Sequence, residues 1–268
     1  MRAPYVLSDA SVVAWRNIIK IKRVPDLLVF TTLSPIMFVL LFAYVFGGAI
    51  GQNGNAQAYR EFLMAGIFAQ TVIFGATITG AGLAEDVKKG VIDRFRSLPM
   101  APSAVLTGRT LSDVINNVIV LIVMSLTGLI VGWRIRGGFW DAAAGYLLLI
   151  VFAYAVSWIM AWIGMLVPSP EVVNNASFIV IFPLTFIAVT FVPLDTLPGP
   201  LQSIAEWNPV SSATQASREL FGNIPAGTPE PSSWPLQHAA LYTLIWTVVI
   251  LLIFVPLANL QYRRSTSR

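Results

Sequence analysis

Six runs of mostly apolar residues alternate along this chain with short charged or proline-rich stretches: 27–47, 62–84, 111–133, 142–167, 172–192 and 237–260. A helix needs about 20 such residues to cross the hydrocarbon core of a bilayer. None of the runs shows the strand alternation of a membrane barrel, and an isolated segment in lipid must satisfy its own backbone as a helix. The pattern predicts an all-α polytopic membrane protein with six transmembrane helices in a single domain.

The stretches between the runs carry patterns of their own. Over 8–24, Val12, Trp15, Ile18 and Ile19 share one helical face, and Arg16, Lys20 and Arg23 form a basic flank. Ser8 or Asp9 suits the N-cap and Pro25 ends the segment. Such a helix lies in the headgroup plane against membrane lipids; a plain anchor with no further role is the alternative. The first apolar run begins only at Leu27, behind this amphipathic segment, so no cleavable signal peptide is expected. Over 85–103, Val87, Val91, Phe95 and Leu98 fall on one face of a short helix that Pro99 stops, with Lys89, Asp93 and Arg96 opposite. A helix of this design suits a groove in a partner protein. Residues 193–235 hold eight prolines and two short helical patterns, one ended by Asn208-Pro209 and one by Gly222. Leu201, Ile204, Ala205, Ala213, Ala216 and Leu220 give these patterns apolar faces, so a compact cap resting on the outer leaflet is expected.

Charge sets the orientation. With a cytoplasmic N-terminus, thirteen of the 17 Lys and Arg residues lie inside and only Arg60, Arg134, Arg136 and Arg218 outside. Basic residues favour the cytoplasmic side, so both termini and the 85–103 segment are expected there. Apolar residues make up 56% of the chain and charged residues 11%, against about 45–50% and 25% in soluble domains, and the cations flank apolar runs. That distribution argues for topology and against nucleic-acid binding. There is no cysteine.

Candidate chemistry is sparse. No G-x-x-x-x-G-K-[ST] loop, no G-x-S-x-G and no carboxylate pair at membrane depth occurs, so no catalytic, cofactor-binding or metal-ligating residue is assigned and the chain is not expected to be an enzyme. Asp113 lies about one turn inside the third run and reads as a snorkelling side chain or an i, i+4 partner of Arg109, a proton relay being the alternative. His238, the single histidine, marks the outer end of the sixth run. Neutral polar and aromatic residues are richer: Gln70, Phe74 and Thr77 in the second run, with Asn174, Phe178, Thr185 and Phe186 in the fifth. A path so lined suits large amphiphilic molecules better than ions, although the polar groups also serve to bond neighbouring helices.

Gly90–Pro102, reading G-x-x-x-R-F-R-S-L-P-M-A-P, followed by Gly108-Arg109, resembles the segment between spans two and three in permease subunits of type-2 ABC exporters. "FVPLDTLPGPLQSIAEWNPVS" from Phe191 to Ser211 resembles the same family's outer loop, and the likeness to its daunorubicin-resistance (DrrB-like) branch runs through essentially the whole chain: interfacial helix, six spans, an outer re-entrant helical loop between spans five and six, and a basic tail. The resemblance implies a non-catalytic membrane subunit of the bacterial cytoplasmic membrane that moves a hydrophobic drug, antibiotic or lipid outward. ATP and Mg would belong to a separate ABC ATPase subunit, and a second permease copy, identical or not, would complete the transporter. It further implies that Glu85, Asp86, Val87, Val91, Arg94, Phe95, Arg96, Leu98 and Pro99 form a coupling helix. Val12, Trp15, Arg16, Ile19 and Lys20 would connect it to the first two spans. Gln70, Phe74, Thr77, Asn174, Phe178, Thr185 and Phe186 would line the path. An ATP-independent secondary transporter or channel is the competing class, without the inverted repeat and midplane ionisable groups it would need; an intramembrane lipid-modifying enzyme would lack its reactive groups.

Overall fold

The computed structural model describes Val12, Ala14 and residues 25–46, 56–97, 102–225 and 227–264, and all regular structure among them is helical. Helix α1, Pro25–Leu40, continues as a π-helical turn over Leu41–Phe46. The second apolar run is a rod broken once, as α2 (Ala56–Gly75) and α3 (Thr77–Lys88). A short α4 (Val91–Ser97) leads to α5 (Pro102–Val131), α6 (Phe139–Leu166) and α7 (Pro170–Ile187). Then come a 3-10 turn (Leu194–Thr196), α8 (Gly199–Trp207), α9 (Pro209–Phe221), α10 (Trp234–Gln237) and α11 (Ala239–Arg264).

Five stretches are long and apolar enough to cross a membrane: Gln57–Lys88, Ser103–Val131, Phe139–Leu166, Pro170–Ile187 and Ala239–Arg264. The first run supplies a shorter apolar helix, Leu33–Val45. The molecule is thus an all-helical polytopic membrane protein. Its basic end carries Lys88, Lys89, Arg94, Arg263 and Arg264, and its cap end carries α8 to α10. Of the expected interfacial helix only exposed Val12 and buried Ala14 are described; Trp15, Arg16, Ile19 and Lys20 lie outside the described residues.

Three boundaries depart from the sequence pattern, each for a local reason. The 85–103 segment is not one helix. Glu85–Lys88 is the last turn of α3, and Gly90 at φ +66 turns the chain before α4, a conformation glycine adopts without steric cost. Leu98 and Pro99 fall outside the described residues. The helix that carries the third run starts at Pro102, ahead of 111, because proline suits a first turn whose amide has no partner anyway. The fifth span stops at Ile187, short of 192, where Ala188 turns extended.

The cap is seated more deeply than a rest on the outer leaflet. The two short helices form where expected: Asn208 Oδ1 caps α9 by accepting from the Val210 amide at 2.9 Å, and Gly222 at φ +68 closes it. Yet α9 does not rest on a surface. It enters the bundle against α2, α6 and α11, with Ser211, Ser212, Ala213, Thr214, Ala216 and Ser217 all buried. These small side chains let helix backbones approach closely. The α5–α6 connection grips the far end of α9, since the amides of Arg136 and Gly137 donate to the Phe221 carbonyl at 2.8 and 2.9 Å. Trp133 Nε1 donates to Asn223 Oδ1 at 2.6 Å, and Arg136 makes an ion pair with Glu61 at 2.8 Å.

Arg218 fastens α9 to the rest. It is 1% exposed. Its Nε donates to the Phe62 carbonyl of α2 at 2.9 Å, and Nη2 donates to the carbonyls of Val189 (2.5 Å) and Thr190 (3.1 Å) beyond α7. The guanidinium also covers the Phe62 ring at 3.4 Å from its centroid, a favourable cation–π contact. At the opposite end α3 and α6 touch by backbone: a Cβ on Gly164 would come 2.2 Å from the Gly80 carbonyl oxygen.

Replacing Arg218 with Met leaves three buried carbonyls without their donor. It should destabilise the detergent-solubilised chain by about 3 kcal/mol, read as a lowered thermal midpoint in tryptophan fluorescence. Gly164→Val should cost about 1–3 kcal/mol by overpacking in the same measurement, since the atom it meets is backbone and cannot rotate away.

Candidate functional site

Two irregular helices leave a gap between them midway along the bundle. In α1 the proline at 35 interrupts the amide ladder. Between α2 and α3 the ladder tightens at Ala76, whose amide is shared between the Val72 and Ile73 carbonyls at 3.3 and 3.2 Å. Both irregularities border a cavity of about 340 Å³. Its wall is Ser34, Pro35 and Phe38 from α1; Gln70, Thr71, Phe74 and Gly75 from α2; and Thr77 and Ile78 from α3. Asn116, Asn117 and Val120 from α5 and Phe178 and Phe182 from α7 complete it.

The lining has two chemical sides. Phe38, Phe74, Phe178 and Phe182 present ring faces and edges. The amides of Gln70, Asn116 and Asn117 form no hydrogen bond with any described residue although each residue is buried, so they are available to a ligand. The Thr77 hydroxyl, by contrast, donates to the Phe74 carbonyl at 2.7 Å. An apolar hollow with a few convergent polar groups is the usual form of a small-molecule site. No group of three or more His, Cys, Asp or Glu able to hold a metal occurs among the described residues.

A ribbon of rings leads from the cavity toward the cap end. Phe178, Phe182 and Phe186 recur every four residues on α7 and stack at 4.9 and 4.1 Å between centroids. Phe186 meets Phe191 at 4.7 Å, and Phe191 stacks on Phe42 at 4.5 Å.

The residues expected to line a path therefore divide. Gln70, Phe74, Thr77 and Phe178 meet at the cavity and Phe186 continues the ribbon. Thr185 is buried, and its hydroxyl donates to the Ile181 and Phe182 carbonyls. Asn174 is exposed in the first turns of α7 and does not line the cavity. The pattern overlooked the α5 wall. Adjacent asparagines at 116 and 117 inside a long apolar run were the available signal, since amides at that depth need a reason to be there.

At the basic end, the turn at Gly90 changes the phase between Val87 and Val91. Ile92 becomes the buried residue of α4 while Val91 is half-buried. Ile92, with Val87 and Phe95, packs on Leu83, Leu106, Trp158 and Tyr262. The apolar face expected to meet a partner is thus turned onto the bundle itself, because a seven-residue helix has only one such face to bury. Lys88, Lys89 and Arg94 are exposed, Asp86 is half-buried, and Lys89 pairs with Glu85 at 2.6 Å. That hydrogen bond and the Glu85 charge raise the Lys89 pKa. The side chain of Arg96 is outside the described residues.

Asp113 is buried rather than snorkelling, with the charge of Arg109 acting on it. The early start of α5 puts it eleven residues into that helix, where it is 5% exposed. Arg109 reaches across to donate to the Ile78 carbonyl at 3.0 Å, and Asp113 Oδ2 has no hydrogen-bond partner.

The amino-acid sequence matches the family described as ABC-2 type transporter over residues 9–221. It is 41% identical over 207 residues to the daunorubicin resistance ABC transporter permease protein DrrB1 of Streptomyces coeruleorubidus, covering 77% of this chain and 72% of that one. It is 27% identical over 226 residues to the doxorubicin resistance ABC transporter permease protein DrrB of Mycobacterium tuberculosis, covering 81% and 77%. With its apolar helical bundle, this chain belongs to the ABC-2 type transporter family, as a multi-pass membrane permease of the DrrB-like kind.

Proposed function

We propose that this permease is the membrane-spanning subunit of an ATP-driven exporter that moves a hydrophobic or amphiphilic compound, such as a drug, antibiotic or lipid, outward across the bacterial cytoplasmic membrane. The observation that carries this reading is the mid-bundle cavity, with ring faces for an apolar body and three unpartnered amides to orient it. The family and the names of its relatives agree with it. In this reading α1 is the first of six spans and the basic end, with both termini, faces the cytoplasm, as the charge asymmetry requires. A second permease copy would cover the exposed apolar sides of α1 and α7, including Met37, Ile179 and Val180.

Energy would come from a separate ABC ATPase with its own ATP and Mg. Helix α3 suits the role of transmitter. One end, at Thr77 and Ile78, is cavity wall; the other, at Glu85 to Lys88, leads into α4. Its middle is pinned to α6 where Gly80 meets Gly164. A push on the α3–α4 turn would pivot α3 about that contact, between flexible points at Ala76 and Gly90, and so reshape the cavity. Because the apolar side of α4 is packed inward, the ATPase would engage the charged side, where Lys88 and Arg94 are exposed.

With the ATPase co-expressed, Phe178→Ala/Phe182→Ala should slow efflux of an apolar dye about tenfold or more, the loss of one or two apolar contacts being worth about 1–3 kcal/mol. Efflux at the wild-type rate would place the path elsewhere. Arg94→Glu/Arg96→Glu should abolish co-purification of the ATPase while membrane insertion stays intact; retained co-purification would move the contact off α4. The purified chain alone should hydrolyse no ATP.

A further inference from the structure

Arg109, Asp113 and Asn117 recur every four residues on α5 and so share one face of it. That face runs along α2 and α3, over two glycines. A Cβ on Gly75 would come 2.5 Å from Asn117 Oδ1, and one on Gly82 would run into the Arg109 guanidinium. Asp113, midway between those contacts and buried, faces the same seam. The seam lies directly beneath the cavity. Asn117 and Ile78 are cavity wall, and Arg109 and Gly82 lie about one to two turns nearer the basic end. Arg109 spans the seam by donating through Nη2 to the Ile78 carbonyl at 3.0 Å.

The bonding there is incomplete on both charged groups. Arg109 Nε has no acceptor and Asp113 Oδ2 has no hydrogen-bond partner, although both atoms are buried; each such shortfall is costly. The Arg109 charge already acts on Asp113, and side chains at i and i+4 of a helix are within reach of one another. The Ile78 carbonyl is in the first turn of α3, where the helical ladder brings it the Gly82 amide as well. Arg109 thus sits on an acceptor that is satisfied without it, one turn from an acceptor that is not. The close approach of α3, with a glycine at 82 to make room, keeps it there.

We propose that Arg109 is a two-position latch beneath the cavity. Seated on the Ile78 carbonyl it ties α3 to α5; when α3 swings away it passes to the Asp113 carboxylate, and the seam opens without stranding a buried charge. Asp113 is the second seat and acts on the protein, not on a ligand. The use of the latch in transport rests on the exporter reading, in which release of α3 opens the cavity toward the basic end. The latch itself needs neither ATPase nor substrate, so the two ideas can fail separately.

The chain has no cysteine, so a single one in place of Thr71, on the cavity wall and off the seam, reports access to the cavity in the full chain in nanodiscs. Its rate of modification is read with a cationic and an anionic methanethiosulfonate of similar size, so that an effect of one sign with both reports opening and not the local field. Arg109→Gln removes the latch and Gly82→Ala unseats it; each should speed modification about tenfold, as the loss of one charge-assisted hydrogen bond allows. Asp113→Leu removes the second seat and should slow it, and Asp113→Glu should match the wild type. A static ion pair would move the rate in the same direction from either partner. If Arg109→Gln fails to fold, Gly82→Ala carries the test, because it changes no charge. The thermal midpoint gives a second check: Gly82→Ala should be several degrees more costly in the Asp113→Leu background, where the displaced guanidinium has nowhere to go. The latch is overturned by a rate that Gly82→Ala leaves unchanged, by opposite effects on the two reagents, by Asp113→Leu speeding modification, or by an equal cost of Gly82→Ala with and without Asp113. Each of those results leaves the exporter reading to stand or fall on efflux.

Discussion

The guanidinium of Arg218, enclosed by three backbone carbonyls and one ring face, is the contact on which the remaining geometry depends. It joins the re-entrant α9 to α2 through Phe62 and to the turn after α7 through Val189 and Thr190. The start of α9 engages the end of α7 as well, since Asn208 Nδ2 donates to the Leu184 carbonyl at 2.7 Å and the Val189 amide donates to Ser211 Oγ at 3.2 Å, and α7 ends at Ile187. The chain then bends so that Phe191 lands between Phe186 and Phe42. A cation buried without a carboxylate costs desolvation; here that cost is offset by three short hydrogen bonds and the Phe62 ring.

From this fastening the molecule divides into a rigid half and a broken half. The rigid half is α9 with α6, α11 and the upper part of α2, locked by small residues and by the Arg136–Glu61 and Trp133–Asn223 contacts at the cap end. The broken half is the lower α2–α3 rod, α1 with its proline, and the free side of α7. The cavity lies in the broken half, walled by α1, lower α2, α3 and α7 together with α5, since helices with interrupted ladders cannot pack along their whole length.

Much of this was legible in the amino-acid pattern because membrane helices obey a one-dimensional rule. Run length, the Asn208-Pro209 break and Gly222 act locally, so their positions along the chain mark the elements. The asparagines at 116 and 117 were visible but mute, since a sequence does not say which face of a helix meets a void. Asp113, placed near the start of a helix by the pattern, lies well within one that begins at Pro102 and is buried among its neighbours.

What the sequence by itself determined is an all-helical membrane bundle of the ABC-2 type transporter family and the two short helices of the cap. What only the tertiary structure decided is which helices the cap packs against, that the apolar face of α4 is spent inward, and that residues from five helices close a cavity. Those outcomes depend on contacts between residues far apart in the chain, such as Arg218 with Phe62 or Arg109 with Ile78. Such contacts have no periodic signature. They exist only once the helices choose their neighbours.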